Sequence, residues 1–222
     1  MSGHLPPLVV MGVSGCGKST VGALLGQRLG MLFFDGDDFH PAANKQKMAA
    51  GDPLTDTDRE PWLARLGQLL AGKDDGGAGV PPIVACSALK RRYRDLLRSY
   101  APDVVFVHLA GTAATIGARM DARSHEFTPR ALLDSQFTAL EDLEADEAHV
   151  LGDITQPLDV LAEMLDLKLK PADAVMTGAE GDASGSPHLR EAWVPRREYK
   201  DRAPSRASLL PVGRADNGDS VK

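Results

Sequence analysis

LVVMGVSGCGKSTVGALLGQRLG, residues 8 to 30, decides how the rest of the chain is read. Leu8 to Met11 is a short continuous apolar run, the pattern of a strand buried on both faces. Gly12-Val13-Ser14-Gly15-Cys16-Gly17-Lys18-Ser19 follows it and satisfies G-x-x-x-x-G-K-[ST]. The spacing then predicts a helix over 18–29, with Val21, Leu24, Leu25 and Leu29 on one face and Gly30 as its C-terminal stop. A strand, a glycine-rich turn and a helix in that order form a P-loop, the phosphate cradle of nucleotide-binding α/β domains.

The chemistry of that loop follows from its backbone. Glycines at 12, 15 and 17 permit conformations closed to larger residues, so successive N–H groups can turn inward around a phosphate. The helix N-terminus adds the positive end of its dipole. Gly12, Val13, Ser14, Gly15, Cys16, Gly17, Lys18, Ser19 and Thr20 are therefore the candidate residues for holding a nucleoside triphosphate. Lys18 is placed to reach the β- and γ-phosphate oxygens and to neutralise charge as the γ-group moves, and the Ser19 hydroxyl to ligate Mg²⁺. Cys16 reads as an inert small residue of the loop, the alternative being a thiol whose oxidation or alkylation blocks nucleotide.

Up to about Leu169 short β-rich runs alternate with longer helical patterns, the signature of a parallel sheet covered by helices. Further strands are predicted at 32–34, 83–85, 104–109 and 149–154, and further helices at 61–71, 89–99, 112–122, 130–140 and 157–167. The fold class is α/β, a P-loop NTPase fold with a five-stranded parallel sheet flanked by helices. KDDGGAGV, residues 73 to 80, has the composition of a flexible surface loop. Residues 1–170 read as the folded domain and 171–222, rich in Gly, Pro, Ser, Asp and Ala, as a mostly disordered tail. Within that tail Trp193, Val194 and Tyr199 sit among charges, either solvated or able to dock.

The chain has 222 residues and 43% hydrophobic content, enough for one packed core. A net charge of -6 offers no electrostatic footprint for a nucleic-acid backbone, so nucleic acid is not the expected partner. Two cysteines do not make a disulfide framework or a cysteine-based zinc site, and the six histidines lack metal-ligand spacing, which fits a reducing cytoplasm. The N-terminal residues lack a basic leader pattern, and no window of 18 apolar residues follows, so neither secretion nor a membrane is expected. A guanine-specificity motif is missing too, which leaves a small-molecule phosphate acceptor as the leading expectation.

Asp35-Gly36-Asp37-Asp38-Phe39-His40-Pro41 lies at the carboxyl end of the second strand, where open α/β sheets place ligand groups. Asp35 is suited to holding Mg²⁺ through water and Asp37 to accepting the proton of an attacking hydroxyl, with the pair expected at the strand end neighbouring the P-loop. Asp38 is as well read as a solvated or structural residue.

MGVSGCGKSTVG, DGDDFHPAANKQKMAAGDPLTDTDREPWL, CSALKRRYRDLLR, FVHLAGTAATIGARMDAR and LLDSQFTALE occur in order, and together they resemble the gluconokinases of the adenylate-kinase-like P-loop group over about residues 8 to 169. That resemblance implies a helical lid over the sheet and the reaction of ATP with D-gluconate to give ADP and 6-phospho-D-gluconate. Homologous kinases of this kind are often homodimers. It also implies that Arg59 and Arg94 recognise the acceptor's carboxylate or hydroxyls, and that His40, with Lys45 or Lys47, lines the same pocket. Trp62 is read as packing against the substrate-side helix, or else as stacking on the sugar acid.

In the resemblance Arg119 and Arg123, four apart on one helix face, belong to the lid and meet the transferring phosphoryl group; a salt-bridge role with Asp121 or Glu126 is the alternative. Gln136 either fixes the lid base or touches substrate, and residues 153–157 border adenine. Ser124-His125-Glu126-Phe127 departs from the His-Phe pair usual at this point. Competing readings are a related kinase, such as one for shikimate, and a nucleotide-sensing binding module without turnover.

Overall fold

The computed structural model describes residues 5–72, 80–121 and 130–170. Its elements are β1 (Leu8–Met11), α1 (Lys18–Leu29), β2 (Phe33–Asp35), a 3-10 turn (Gly36–Phe39), α2 (Ala42–Ala49), α3 (Asp56–Leu70), β3 (Ile83–Ala85), α4 (Arg91–Tyr100), β4 (Val105–Ala110), α5 (Ala113–Asp121), α6 (Arg130–Ala139), β5 (His149–Asp153) and α7 (Leu158–Leu169). All five strands are parallel, in the order β2-β3-β1-β4-β5.

β1 is central because it has no polar side chain to offer water on either face, and Leu8, Val9, Val10 and Met11 are all fully buried. Strand alternation divides these four residues between two cores. Leu8 and Val10 pack with Leu25 of α1 and with Leu161 and Leu165 of α7. Val9 and Met11 face Trp62, Leu63 and Leu66 of α3 and Leu97 of α4. The sheet is thereby sealed on both sides, and polar ligands are left to its carboxyl edge.

α1 covers the predicted range, and Gly30, at φ 67°, closes it by donating its N–H to the Gly26 carbonyl. α3 starts five residues before the predicted Pro61. Thr55 and Asp58 form a reciprocal capping box there: the Thr55 side chain accepts from Asp58 N, and the Asp58 carboxylate accepts from Thr55 N. This cap satisfies the helix start, and Pro61 is carried inside. α2 had no counterpart in the sequence reading, since its residues are largely exposed and only Asn44 is buried. Strand order supplies a further correction. β3 stands between β1 and β2, so the Asp35 turn is not at the strand neighbouring the P-loop. Most of the loop at 73–80, the segment of Arg123, His125 and Glu126, and the proposed tail 171–222 lie outside the described residues. Among the described residues no helix is long and apolar enough to cross a membrane.

Candidate functional site

Gly12 to Gly17 form the turn between β1 and α1, and Lys18 to Thr20 open the helix. Gly17 caps α1 in the left-handed region at φ 100°, which a β-carbon would strain, so the glycine of the motif is demanded by the chain's entry into the helix. Lys18 folds back over the loop, its Nζ donating to the Val13 carbonyl at 3.1 Å. The ammonium is thus held at the mouth of the loop by its own backbone. Cys16 is buried, and burial raises its thiol above the ordinary value despite the opposing charge of Lys18. The inert reading of this residue fits that placement.

Although β3 separates the two strands, the acidic turn still meets the P-loop. The Ser19 hydroxyl, in the first turn of α1, donates to Asp35 Oδ2 at 2.6 Å. Asp35 Oδ1 in turn accepts from the Asp37 backbone N–H at 3.1 Å, which fixes the turn that carries the second carboxylate. Gly36 between them has no space for a side chain, because a β-carbon there would run into the Ala85 carbonyl of β3. A cavity of about 320 Å³ results, lined among others by Ser14, Lys18, Ser19, Asp35, Asp37 and Met120. The predicted cradle and the predicted acidic pair therefore share one cleft.

Asp37 projects into this cleft with its side chain 86% exposed. Its carboxyl is raised above the ordinary value, first by desolvation from the cleft walls and then by the negative charge of Asp35, with Lys18 acting in the opposite sense. For so exposed a side chain the repulsion from Asp35 is the weightier cause. Ser19 and Asp35 present two hard oxygen donors side by side, a set that suits Mg²⁺ bound with water and phosphate oxygens. No group of three or more His, Cys, Asp or Glu among the described residues forms an all-protein metal cage.

Most residues expected on the acceptor side lie between His40 and Trp62, on and beside α2 and α3. His40 is 8% exposed and stacks on Trp62 with ring centroids 4.1 Å apart and an interplanar angle of 15°. Trp62 is itself buried and donates from Nε1 to the Gly36 carbonyl at 2.7 Å, so it packs and braces the acidic turn. Arg59 donates to the Leu54 carbonyl and lies near enough to His40 to lower its pKa. Lys45 bonds the Asp38 carbonyl, and Lys47 pairs with Asp58 at 2.7 Å.

Two acceptor-binding expectations require correction. Arg94 is wholly buried, pairs with Glu147 at 2.6 Å and donates to the carbonyls of Ala88, Leu89, Glu141 and Asp142. Its guanidinium is spent within the protein and cannot reach a substrate. Gln136 of α6 likewise uses both ends of its amide on one residue of the P-loop: Oε1 accepts from Ser14 N at 2.6 Å and Nε2 donates to Ser14 Oγ at 2.9 Å. It braces the phosphate loop, a role distinct from both the lid base and the substrate contact expected of it. Arg119 donates to the Ile154 carbonyl at the end of β5, so it borders the loop without lining the cavity. The sequence reading missed Asn44, which bonds both His40 and Asp58. An asparagine buried on an otherwise polar helix is the signal that would have found it, and burial is not visible in a sequence.

Comparison with known proteins agrees with this geometry. A protein-family model, Shikimate kinase, matches residues 14–155. The thermosensitive gluconokinase of Escherichia coli (strain K12) is 47% identical over 146 residues, 64% of this chain and 75% of that protein. The gluconokinase of Gluconobacter oxydans (strain 621H) is 43% identical over 158 residues, 71% of this chain and 88% of that protein. A crystal structure of a gluconokinase from Sinorhizobium meliloti 1021 superposes with a TM-score of 0.67 at 43% identity, covering 74% of this chain and 91% of that one.

Proposed function

Because the chain belongs to the gluconokinase family, we propose that it phosphorylates D-gluconate from ATP, giving ADP and 6-phospho-D-gluconate. The observation that carries this reading is the Ser19–Asp35 contact, which joins the phosphate loop and the Asp37 turn in one cleft. The triphosphate lies along the P-loop, with Lys18 leaving the Val13 carbonyl for phosphate oxygens. The terminal hydroxyl of gluconate attacks the γ-phosphorus in line, its proton passes to Asp37, and ADP leaves. Mg²⁺, held by Ser19 and through water by Asp35, supplies charge neutralisation of the phosphates when bound.

Arg59 and His40 form the acceptor wall, and Arg119 adds positive potential from the β5 side. Arg123 belongs to the same proposal by its place in the sequence. Shikimate kinases share the phosphate-binding framework, as the match over 14–155 indicates, but the curated relatives at 43–47% identity are gluconokinases, which favours a sugar acid. Two free buried thiols accord with a cytoplasmic location.

A coupled assay of ADP release over gluconate, related sugar acids and shikimate, with and without Mg²⁺, tests the reading. Mg²⁺-dependent turnover with gluconate is the expected result. Turnover with shikimate and indifference to gluconate would overturn it.

A further inference from the structure

His40 turns one ring nitrogen toward Asp37, and its protonation is fixed by atoms on α2 and α3. Asn44 has an amide atom 2.7 Å from the Asp58 backbone carbonyl. A carbonyl oxygen only accepts, so that atom is the nitrogen, Nδ2. The same Nδ2 is 3.3 Å from His40 Nδ1. An amide nitrogen only donates, so Nδ1 must carry the lone pair, and the single proton of a neutral ring is left on Nε2. Burial, followed by the nearby charges of Arg59 and Lys45, lowers the His40 pKa to about 4, so the ring is neutral at physiological pH.

Nε2 points toward Asp37, 3.9 Å from Oδ1. That separation is longer than a hydrogen bond, so this N–H is not spent on the carboxylate. Trp62 prevents the ring from swinging away, stacked against its face and anchored through Nε1 on the Gly36 carbonyl.

We infer that Asn44 is a positioning residue of the acceptor site: it holds His40 as the Nε2–H tautomer, so that a fixed N–H donor faces Asp37 and the substrate oxygen beside it. This rests on the assignment of the Asp37 side of the cleft to the acceptor. It gives the two side chains distinct tasks. Asp37 takes the proton, while His40 has no lone pair on the nitrogen that faces Asp37 and serves only to orient a hydroxyl oxygen through a donated hydrogen bond. Specificity follows, because an acceptor must offer an oxygen lone pair at that point.

The test uses the full chain with ¹⁵N-labelled histidine. Long-range ¹H–¹⁵N correlation spectra at neutral pH report each ring's tautomer, with His40 identified by the loss of its signals in His40→Gln. The wild type should show the pure Nε2–H form, and Asn44→Leu, of similar size but without a donor, should show a mixture of both forms. Asn44→Leu should also lower kcat/KM for the acceptor about tenfold, the scale of one net hydrogen bond, with KM for ATP unmoved. His40→Leu should lose as much, and His40→Gln, which restores an N–H, should recover part of it.

An Nδ1–H or doubly protonated His40 in the wild type would overturn the inference, as would unaltered acceptor kinetics in both leucine variants. If Asn44→Leu fails to fold, the wild-type spectrum and the His40→Leu and His40→Gln pair still decide. The tautomer spectrum requires no substrate, so a failure of the gluconate reading, seen as turnover with a different acceptor, is distinguishable from a failure here.

Discussion

Arg94 and Glu147 meet at 2.6 Å with neither side chain exposed to solvent. Desolvation acts to raise the Glu147 carboxyl, but hydrogen bonds from Arg94 and the Glu144 backbone outweigh it and hold the group below its ordinary value. The pair ties α4 to the turn before β5, and its remaining donors grip the Ala88 and Leu89 carbonyls. Ala88 is a non-glycine residue in the left-handed region, at φ 44°, so this grip stabilises a backbone shape that the chain would otherwise avoid. Arg94→Ala leaves a carboxylate buried without its partner and should cost ~3–5 kcal/mol of stability. Urea unfolding measures this. A variant of native stability with a raised gluconate KM would restore the substrate role that burial excludes.

Lys18→Ala removes the cation at the phosphate loop and should reduce kcat by about 10²–10³, the usual cost of a lost transition-state donor. Asp37→Asn removes the proposed proton acceptor and should reduce it by about 10²–10⁴. Steady-state kinetics with circular dichroism as a folding control checks both. Near-normal turnover of Asp37→Asn would move the base elsewhere.

Stability should fall on mild acidification. His40 and His108 are both lowered from 6.5 to about 4, in each case first by burial and then by nearby positive charge, of Arg59 and Lys45 for His40 and of Arg94 and His149 for His108. Because the unfolded chain takes up these protons first, the stabilisation is complete above 6.5 and is lost as pH falls toward 4. Glu147, with a depressed folded value, continues the loss below the ordinary carboxylate range. Denaturant midpoints between pH 8 and pH 4 report the slope. His40→Gln combined with His108→Gln should flatten its upper part, and an unchanged slope would refute the assignment.

Cys16 and Cys86 should resist a neutral thiol reagent in the native protein and react on unfolding, since burial raises Cys16 and pushes Cys86 up to about 12. Mass spectrometry after timed alkylation gives the answer. Rapid labelling of Cys16 that bound ATP prevents would show an accessible thiol in the loop.

Residues 1–170 should retain full activity without the remaining chain. α7 ends at Leu169, which packs into the core formed by β1, α1 and β5, so the cut falls after the last described helix has docked. Loss of turnover in a folded truncation would assign the tail a catalytic part.

Legibility in the sequence followed the range of the forces involved. β1, α1 and β3 lie where apolar runs and the glycine motif put them, because local pattern and burial agree there. The 3-10 turn and α2 were hidden, having no apolar stripe to announce them. Long-range partners were hidden as well. Glu147 lies 53 residues from Arg94, and Gln136 lies 122 from Ser14, and no spacing rule joins such pairs. A basic residue in a helix therefore looked like a ligand for substrate when its ligand was the protein itself. Lys18, Ser19, Asp35 and Asp37 were legible because one short loop and one short turn dictate their positions.

The placement of β3 between β1 and β2 makes the enzyme modular. In the proposed reaction the grip on the nucleotide and the seat for the hydroxylated acid ride on separate crossover units, which meet at the Ser19 hydroxyl and the Asp35 carboxylate. Mutation can then retailor one unit while the other stays in working order, provided that this joint survives. Exchange of residues 36–62 for the matching span of a relative with another appetite should transplant substrate choice and leave the affinity for nucleotide where it was.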